Sequence, residues 1–600
     1  MAIGVSPEWK TAIQGQFRYP AYLRVSLKIS PPDLRAAAKA TSEYTESITD
    51  PGATIDGISA SIAPVATLET DRWIGDGSMY LASENSNMNA PLEWWSDTAI
   101  HPSIDFVFNK EYTIPGVSII WDTETNSWPT SFTLKGYNFD GELVGEHTIT
   151  DVDSVESYSD IPFENVKKIT LVINSWSKPG WRARITEVLF GLVLNFSNNS
   201  ITDASLTATC APLSAELPSL SMKFHIDNYD RTFDPLLVEG YSKYLTERQK
   251  VSVQWGFSVD GNAPQWMAPW PMYLSAWSIP SDQPSVSITA SSRLSFLDTI
   301  YTQGTYNGNP KTFAQLAIEV LQSSNIIQDV TGETPWQLAA PLSQLLTRAP
   351  APREAINVIL QLIANATGCL LDNDPATNYV RFRARPENAD YVISKSQQLG
   401  DPSFEISNRL KSIKIGLRTF SRKSTSEQVY KFSGILAGTT ILDVAFNDNV
   451  IVMNPQFKAT NATIGRVQLF ARGALLTVAA SPSGADVTII ATGFIVEEST
   501  TFITTYSDAN VESGLEVTID NPLITEMDTL KVVAEVTKNY YLRRKKVIVP
   551  YTGYPELETG DILEYKTNYG DFTADTTRLS LEFNGGFSGT IESHVIEGEV

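Results

Sequence analysis

The stretch Phe17–Ile29 reads FRYPAYLRVSLKI. Tyr19, Ala21, Leu23, Val25, Leu27 and Ile29 alternate with Arg18, Arg24, Ser26 and Lys28. Successive side chains of a strand point to opposite faces, so this predicts a strand with one face on a core and one in water. Working outward, the same alternation recurs at Ile104–Phe108, Phe132–Leu134, Leu220–Ile226, Val251–Phe257, Val286–Ala290 and Leu515–Ile519. Turn clusters such as Gly75-Asp76-Gly77 and Pro179-Gly180 separate the runs. Many short strands between such turns predict a mainly β chain of sandwiches or barrels.

Two segments carry a helical period instead. Thr312–Gln322 places Phe313, Leu316, Ala317, Val320 and Leu321 on one face, with Thr312 as N-cap. Pro352–Thr367 has proline in its first turn, a stripe of Ile356, Ile359, Leu360 and Ile363, and Gly368 just past its end. The strand Tyr379–Arg385 follows, with Val380, Phe382 and Ala384 predicted inward. A small α/β module therefore lies within a β-rich chain. Ala36–Pro64, rich in Ala, Ser, Thr and Gly, reads as a linker, and no repeat of solenoid or propeller length is visible.

At 600 residues the chain holds about three to five domains. Its formal charge of -23 argues against a general binder of nucleic acid or anionic membrane, because phosphate binding needs a basic field. Two cysteines, Cys210 and Cys369, exclude a disulfide-stapled scaffold and a Cys-rich zinc module. No apolar run reaches the roughly 20 residues of a membrane span. The opening MAIGVSPEWKTAIQG lacks a signal pattern, which predicts a soluble, unexported chain. Of thirteen tryptophans, eight precede residue 190, four lie between 255 and 277, and one is Trp336. That asymmetry predicts modules of different kinds.

Candidate chemistry is sparse. Glu93, Asp122 and Glu124 beside tryptophans are the best-placed carboxylates for glycoside hydrolysis, but a solvated loop next to core rings is the preferred reading. Asp227, Asn228, Asp230 and Asp234 offer hard oxygen ligands, so Asp227 and Asp230 are candidate calcium ligands. The loop lacks the glycine and terminal glutamate of an EF-hand, and a turn bonded to its own backbone is preferred. There is no G-x-S-x-G and no P-loop. No cofactor is predicted. Arg381, Arg383 and Arg385 share a strand face, and Arg409 to Lys423 is a basic stretch; both read as solvated faces. Trp128 and Trp176 fall on turn-like segments and are predicted exposed, where a ring can cover the apolar face of a sugar.

Several stretches together resemble tail proteins of phages. Ala66–Leu81 (ATLETDRWIGDGSMYL), Glu93-Trp-Trp-Ser96 and Trp181–Gly191 (WRARITEVLFG) resemble a discoidin-like jelly roll. Leu213–Pro235 (LSAELPSLSMKFHIDNYDRTFDP) and Gln249–Gly256 (QKVSVQWG) resemble the first barrel of a tail-tip or baseplate hub. Asp520–Ile524 (DNPLI), Tyr554–Ile562 (YPELETGDI) and Phe583–Gly589 (FNGGFSG) are similar to its C-terminal barrel.

The resemblance implies a mainly β, multidomain fold: two hub β-barrels, a small α/β module and an inserted β-sandwich. It divides the chain into 1–65 (first barrel strand plus linker), 66–195 (jelly roll), 196–300 (remainder of the first barrel), 301–395 (α/β module) and 396–600 (second barrel). Residues 425–514 would be an added element of that last part. It implies a non-enzymatic virion protein, made in the host cytoplasm and placed at the tail tip, a homotrimer that closes the tail tube and serves as assembly platform. Its partners would be a distal tail protein, a tape-measure protein and fibre or tip proteins. Discoidin-like modules often bind carbohydrate through end loops, so Asn87, Glu93, Trp128 and Trp176 are candidates for contact with host polysaccharide. A carbohydrate-binding adhesin, and after it a glycan-degrading enzyme, are the alternatives.

Overall fold

The computed structural model describes residues 4–15, 19–29, 39–41, 45–47, 68–69, 72–74, 79–81, 103–121, 126–177, 185–210, 212–214, 216–234, 240–259, 261, 263–279, 284–324, 335–568 and 570–596. The alternation at the head of the chain becomes the strand Ala21–Ile29, with Ala21, Leu23, Val25, Leu27 and Ile29 buried. It pairs antiparallel with Lys250–Ser258 on one side and Leu192–Ser197 on the other. The sheet runs on through Trp270–Ser278, Ser285–Ser291, Ser219–Asp227 and Ile201–Thr209. It then crosses to the rear of the sequence: Gly570–Phe583, Phe587–Ile596, Lys545–Tyr551 and Ser403–Ile406. Three short strands complete its fourteen.

The fold is mainly β and multidomain, as expected, but the two groups of strands form one open sheet; no sheet closes into a barrel among the described residues. The reason lies in Gly570–Phe583. Its first half pairs with Ile562–Thr567 and its second half with Ile201–Thr209, so one strand serves both groups. A single core joins them. Phe587 from the rear packs on Trp255 with ring centroids 5.8 Å apart and on Phe257 at 6.3 Å.

At the end of Ala21–Ile29 the chain leaves this sheet, and it re-enters at Leu192, the register partner of Ile29. Between these points lie two five-stranded antiparallel sheets. Ile104, Phe106, Trp121, Phe132, Leu171 and Phe190 are among the side chains of the core they share. Part of the expected linker is strand instead: Lys39–Thr41 pairs with Ser103–Ile114, and Thr45–Ser47 with Met79–Leu81. Short Thr- and Ala-rich strands at a sheet edge carry too little apolar periodicity to be distinguished from a linker.

The two expected helices are Phe313–Leu321 and Ile356–Thr367. Thr312 and Gln315 form a reciprocal capping box that satisfies two free amides of the first turn. Gly368 ends the second helix at φ 70°, where a β-carbon would be strained. That helix starts after Ala355, so Pro352 lies outside it. Two longer-range elements add to this core. The helix Met527–Leu542 contributes Leu530 and Val533, and the strand Leu410–Leu436 contributes Leu410, Ile413 and Ile415.

Residues 425–514 belong to a long arm built on a four-stranded sheet, in which Leu410–Leu436 runs antiparallel to Ala485–Ser507, flanked by Leu515–Ile519 and Ile451–Thr460. Its outer part carries a second, three-stranded sheet and a core of its own, including Val444, Leu476, Val478, Val487 and Ile489.

Candidate functional site

The most concentrated chemistry sits where the α/β module meets the rear strands. The strand Val380–Arg383 turns Val380 and Phe382 into the helical core, and its alternate residues Arg381 and Arg383 face the loop that precedes Ile562–Thr567. Arg381 grips Asp372 with two bonds, Nε to Oδ1 at 2.8 Å and Nη2 to Oδ2 at 3.1 Å, and reaches Glu558 Oε1 at 3.0 Å. Arg383 lies 2.7 Å from Asp372 Oδ2, 3.3 Å from Glu558 Oε2 and 3.5 Å from Asp561 Oδ1, and it donates to the Thr559 carbonyl. These arginines are therefore not on a solvated strand face. Arg385 donates to the Gly368 carbonyl at 3.2 Å.

Burial sets the electrostatics. It pushes the Glu558 carboxyl up to about 6, in spite of Arg381 and Arg383 beside it. Burial also works against the Arg381 cation, but Asp372 and Glu558 outweigh it and hold that cation more firmly than usual. Arg385, more deeply enclosed, is pulled down by burial. Asp575, bonded to Arg543 at 2.9 Å, is pushed up by burial. A buried ion pair adds little net stability over an apolar one, but losing one partner strands a charge. The cluster is thus a specific joint between two parts of the chain.

The loop geometry follows from sequence. Gly560 has φ +83°, and a β-carbon there would stand 2.4 Å from Leu370 Cδ1. Asp561 Oδ2 accepts the Glu558 amide at 3.1 Å, which closes the turn and turns both carboxylates inward. Beside it, Trp270, Leu579, Tyr551 and Glu558 help to line a cavity of about 40 Å³. Small-molecule sites usually measure roughly 300–1,000 Å³, so this is a packing gap and not a substrate pocket.

The other candidates fall elsewhere. Trp176 is not exposed: it ends the strand Phe163–Trp176 with 6% of its surface accessible, and its ring meets Trp121 edge-on at 5.9 Å. It fills the sandwich core and cannot present a face to a sugar. Trp128 is half-buried, and its indole N–H donates to the Val152 carbonyl at 3.0 Å. Asn87 and Glu93 lie outside the described residues, as do Asp122 and Glu124. Asp227 Oδ1 accepts the Tyr229 amide and Asp230 Oδ1 the Thr232 amide, the turn chemistry preferred from sequence. Among the described residues no three His, Cys, Asp or Glu side chains cluster in a way that can hold a metal ion. Half of the basic stretch is paired within the chain, as Lys411–Glu516, Arg418–Asp520 and Lys423–Glu427.

No family model matches the chain, and no curated protein matches it. Among solved structures it is similar to the tail protein from Neisseria meningitidis MC58, at a TM-score of 0.37 and 10% identity over 67% of this chain and 93% of that one. It is similar to the prophage MuSo2 43 kDa tail protein from Shewanella oneidensis, at 0.34 and 11% over 67% and 95%. A type VI secretion component from E. coli follows, at 0.32 and 7% over 66% and 74%. Two of the three are tail proteins.

The stretches quoted for the two hub barrels fall into three places. Leu213–Pro235, Gln249–Gly256 and Phe583–Gly589 build the large sheet, and Tyr554–Ile562 contains the carboxylates of the ionic joint. Asp520–Ile524 does not belong to a second barrel. Asn521 bonds the Leu362 carbonyl at 2.7 Å, and Leu523 and Ile524 are buried in the helical core. Sequence reasoning missed Asp372, Glu558 and Asp561 as partners of the arginines. The available signal was the Arg-Phe-Arg alternation beside apolar neighbours, together with acids set in an otherwise apolar loop.

Proposed function

We propose that this chain is the hub of a phage-type tail tip or baseplate, a structural protein that closes the tail tube and serves as assembly platform. The observation that carries the reading is the convergence of the quoted front and rear motifs, more than 300 residues apart, on one sheet and one core. A continuous sheet built from both ends of the chain is a rigid plate, which suits a ring subunit under load. In this reading the protein is a homotrimer. It meets a distal tail protein, the tape-measure protein and fibre or tip proteins, and it resides at the tail tip of the virion. The inserted sandwich decorates the outside of the ring. Contact with host polysaccharide through Trp128, Asn87 and Glu93 is part of the proposal; Trp176 is not. Mass photometry of the purified chain, together with particle imaging after deletion of its gene, tests the reading. Trimers and tail-less or tip-less particles are expected. Monomers both in solution and within the particle would refute the hub. A glycan array with the full chain and its Trp128→Ala variant tests the polysaccharide contact.

A further inference from the structure

The strand Ser285–Ser291 leaves the large sheet through a short 3-10 turn, Arg293–Phe296, that leads into the α/β module. Two asparagines of the module hold this turn. Asn378 Oδ1 accepts the Arg293 amide at 3.0 Å, and Asn373 Oδ1 accepts the Leu294 amide at 3.0 Å. Asn378 sits at φ 56°, a conformation that asparagine tolerates better than most residues. The turn places Leu294 in the helical core and returns the Arg293 side chain to the sheet, where Nη2 donates to Tyr273 Oη at 3.2 Å.

Arg293, Asn378 and Tyr273 are 4%, 2% and 7% exposed. Among the described residues Nε and Nη1 of Arg293 and Nδ2 of Asn378 meet no acceptor, and no carboxylate pairs with Arg293. The acids of the neighbouring strand and turn are engaged elsewhere. Asp372 is held by Arg381 and Arg383, and Asp374 accepts the Ala376 amide at 2.8 Å and stands 3.9 Å from Arg381. Asp298, which is exposed, pairs instead with Arg248 at 3.6 Å.

A guanidinium keeps its proton in a protein, so the charge of Arg293 stays. A buried charge without a counter-charge is strongly unfavourable. A water molecule answers this poorly. It brings no charge, and its own hydrogens need acceptors, whereas the three orphaned atoms are all donors. Tyr273 adds a fourth donor, because its oxygen serves Arg293 and its hydroxyl hydrogen remains. The arrangement calls for a species that is negative, accepts on every side and fits among side chains this enclosed. A monatomic anion has all three properties.

We propose that Arg293, Asn378 and Tyr273 form a halide site, filled by chloride, between the large sheet and the α/β module. The ion neutralises Arg293 and takes up the orphaned N–H groups. It makes this joint depend on an anion from solution, whereas the joint at Arg381 and Arg383 carries its own carboxylates. The inference stands apart from the tail-hub reading, because it uses only these buried groups.

The test is urea unfolding of the full chain in chloride and in gluconate at one ionic strength, since gluconate is too large for so enclosed a site. Chloride should raise the midpoint, and above its dissociation constant the unfolding constant should fall about tenfold for each tenfold rise in chloride. Bromide should act in the same way. Arg293→Met removes the charge and should abolish the response. Asn378→Asp is the variant that decides if Arg293→Met does not fold. It keeps an acceptor for the Arg293 amide and tolerates the positive φ, and it puts a carboxylate oxygen where Nδ2 stands. It should fold and lose the chloride response. Line broadening in chloride NMR, present in the parent and lost in Asn378→Asp, supplies a direct readout. A parent with the same midpoint in chloride and gluconate holds a buried water at most and overturns the proposal. A chloride response of equal size in the parent and in Asn378→Asp places the ion elsewhere and overturns it too.

Discussion

Arg381 Nη2 lies 3.0 Å from Glu558 Oε1, across 177 residues of sequence. The same guanidinium holds Asp372 at 2.8 Å, so one side chain ties a strand of the α/β module both to its own neighbour and to the rear loop. Arg383, two residues on, reaches the same loop at Glu558, Asp561 and the Thr559 carbonyl. Cutting this contact should therefore cost more than its modest net contribution to stability suggests.

Glu558→Ala leaves Arg381 and Arg383 buried with one carboxylate fewer. Removing one partner of a buried pair typically costs about 3–5 kcal/mol. Urea denaturation followed by far-UV circular dichroism should show a loss of that order. Arg381→Ala and Glu558→Ala together should lose less than the sum of the two, because they share one interaction. Simple additivity would show that the contact is energetically idle.

The pH response follows from Glu558. Its folded-state value of about 6 exceeds the ordinary 4.5, so the folded chain binds this proton more tightly than the unfolded one. The contribution to stability is present in full below about pH 4.5 and is lost as pH rises through about 6. A shift of this size corresponds to about 2 kcal/mol. Glu558→Gln should flatten that part of the stability profile between pH 4.5 and 6.5. An unchanged slope in the variant would assign the titration to another group.

Gly560→Ala combines two faults, a positive φ and a β-carbon 2.4 Å from Leu370 Cδ1. A non-glycine residue held in this region costs about 1–3 kcal/mol, and the clash adds to it. A lowered thermal midpoint is expected, whereas Gly585→Ala, at φ 92° with open space around it, should lose only the backbone component.

Trp176→Ala removes an indole from the sandwich core beside Trp121. Losses of about 3–5 kcal/mol are usual for such a truncation. Calorimetry should show the sandwich transition moving down while the large sheet, built on a separate core, keeps its own. A Trp176→Ala chain with an unshifted transition would mean that the indole is not packed.

Much of the β architecture was legible because alternation survives wherever one face is wet. Val25, Leu27 and Ile29 are buried as the pattern at Phe17–Ile29 demands, and Leu316 and Val320 as the helical period demands. The helix Met527–Leu542 was not legible. It buries Thr529 and Thr537 along with Leu530 and Val533, so its inward stripe is half polar and β-branched. The joining of the front and rear strands into one open sheet was hidden because strand pairing between Ala204 and Phe583 is a long-range choice that local pattern does not encode. The ionic joint was hidden for the same reason: an arginine opposite a distant carboxylate looks, in sequence, like an arginine opposite water.

The pairing of Ile201–Thr209 with Gly570–Phe583 also bears on synthesis. The ribosome must add about 360 residues after the first of these strands before the second emerges, on the order of 20–70 s at usual elongation rates. During that interval the nascent sheet presents a bare edge with unpaired amides and carbonyls, the kind of surface that recruits other chains. The protein therefore finishes its central plate only once these rear strands have emerged, and its yield in a cell should depend on holding chaperones as much as on the stability of the finished fold.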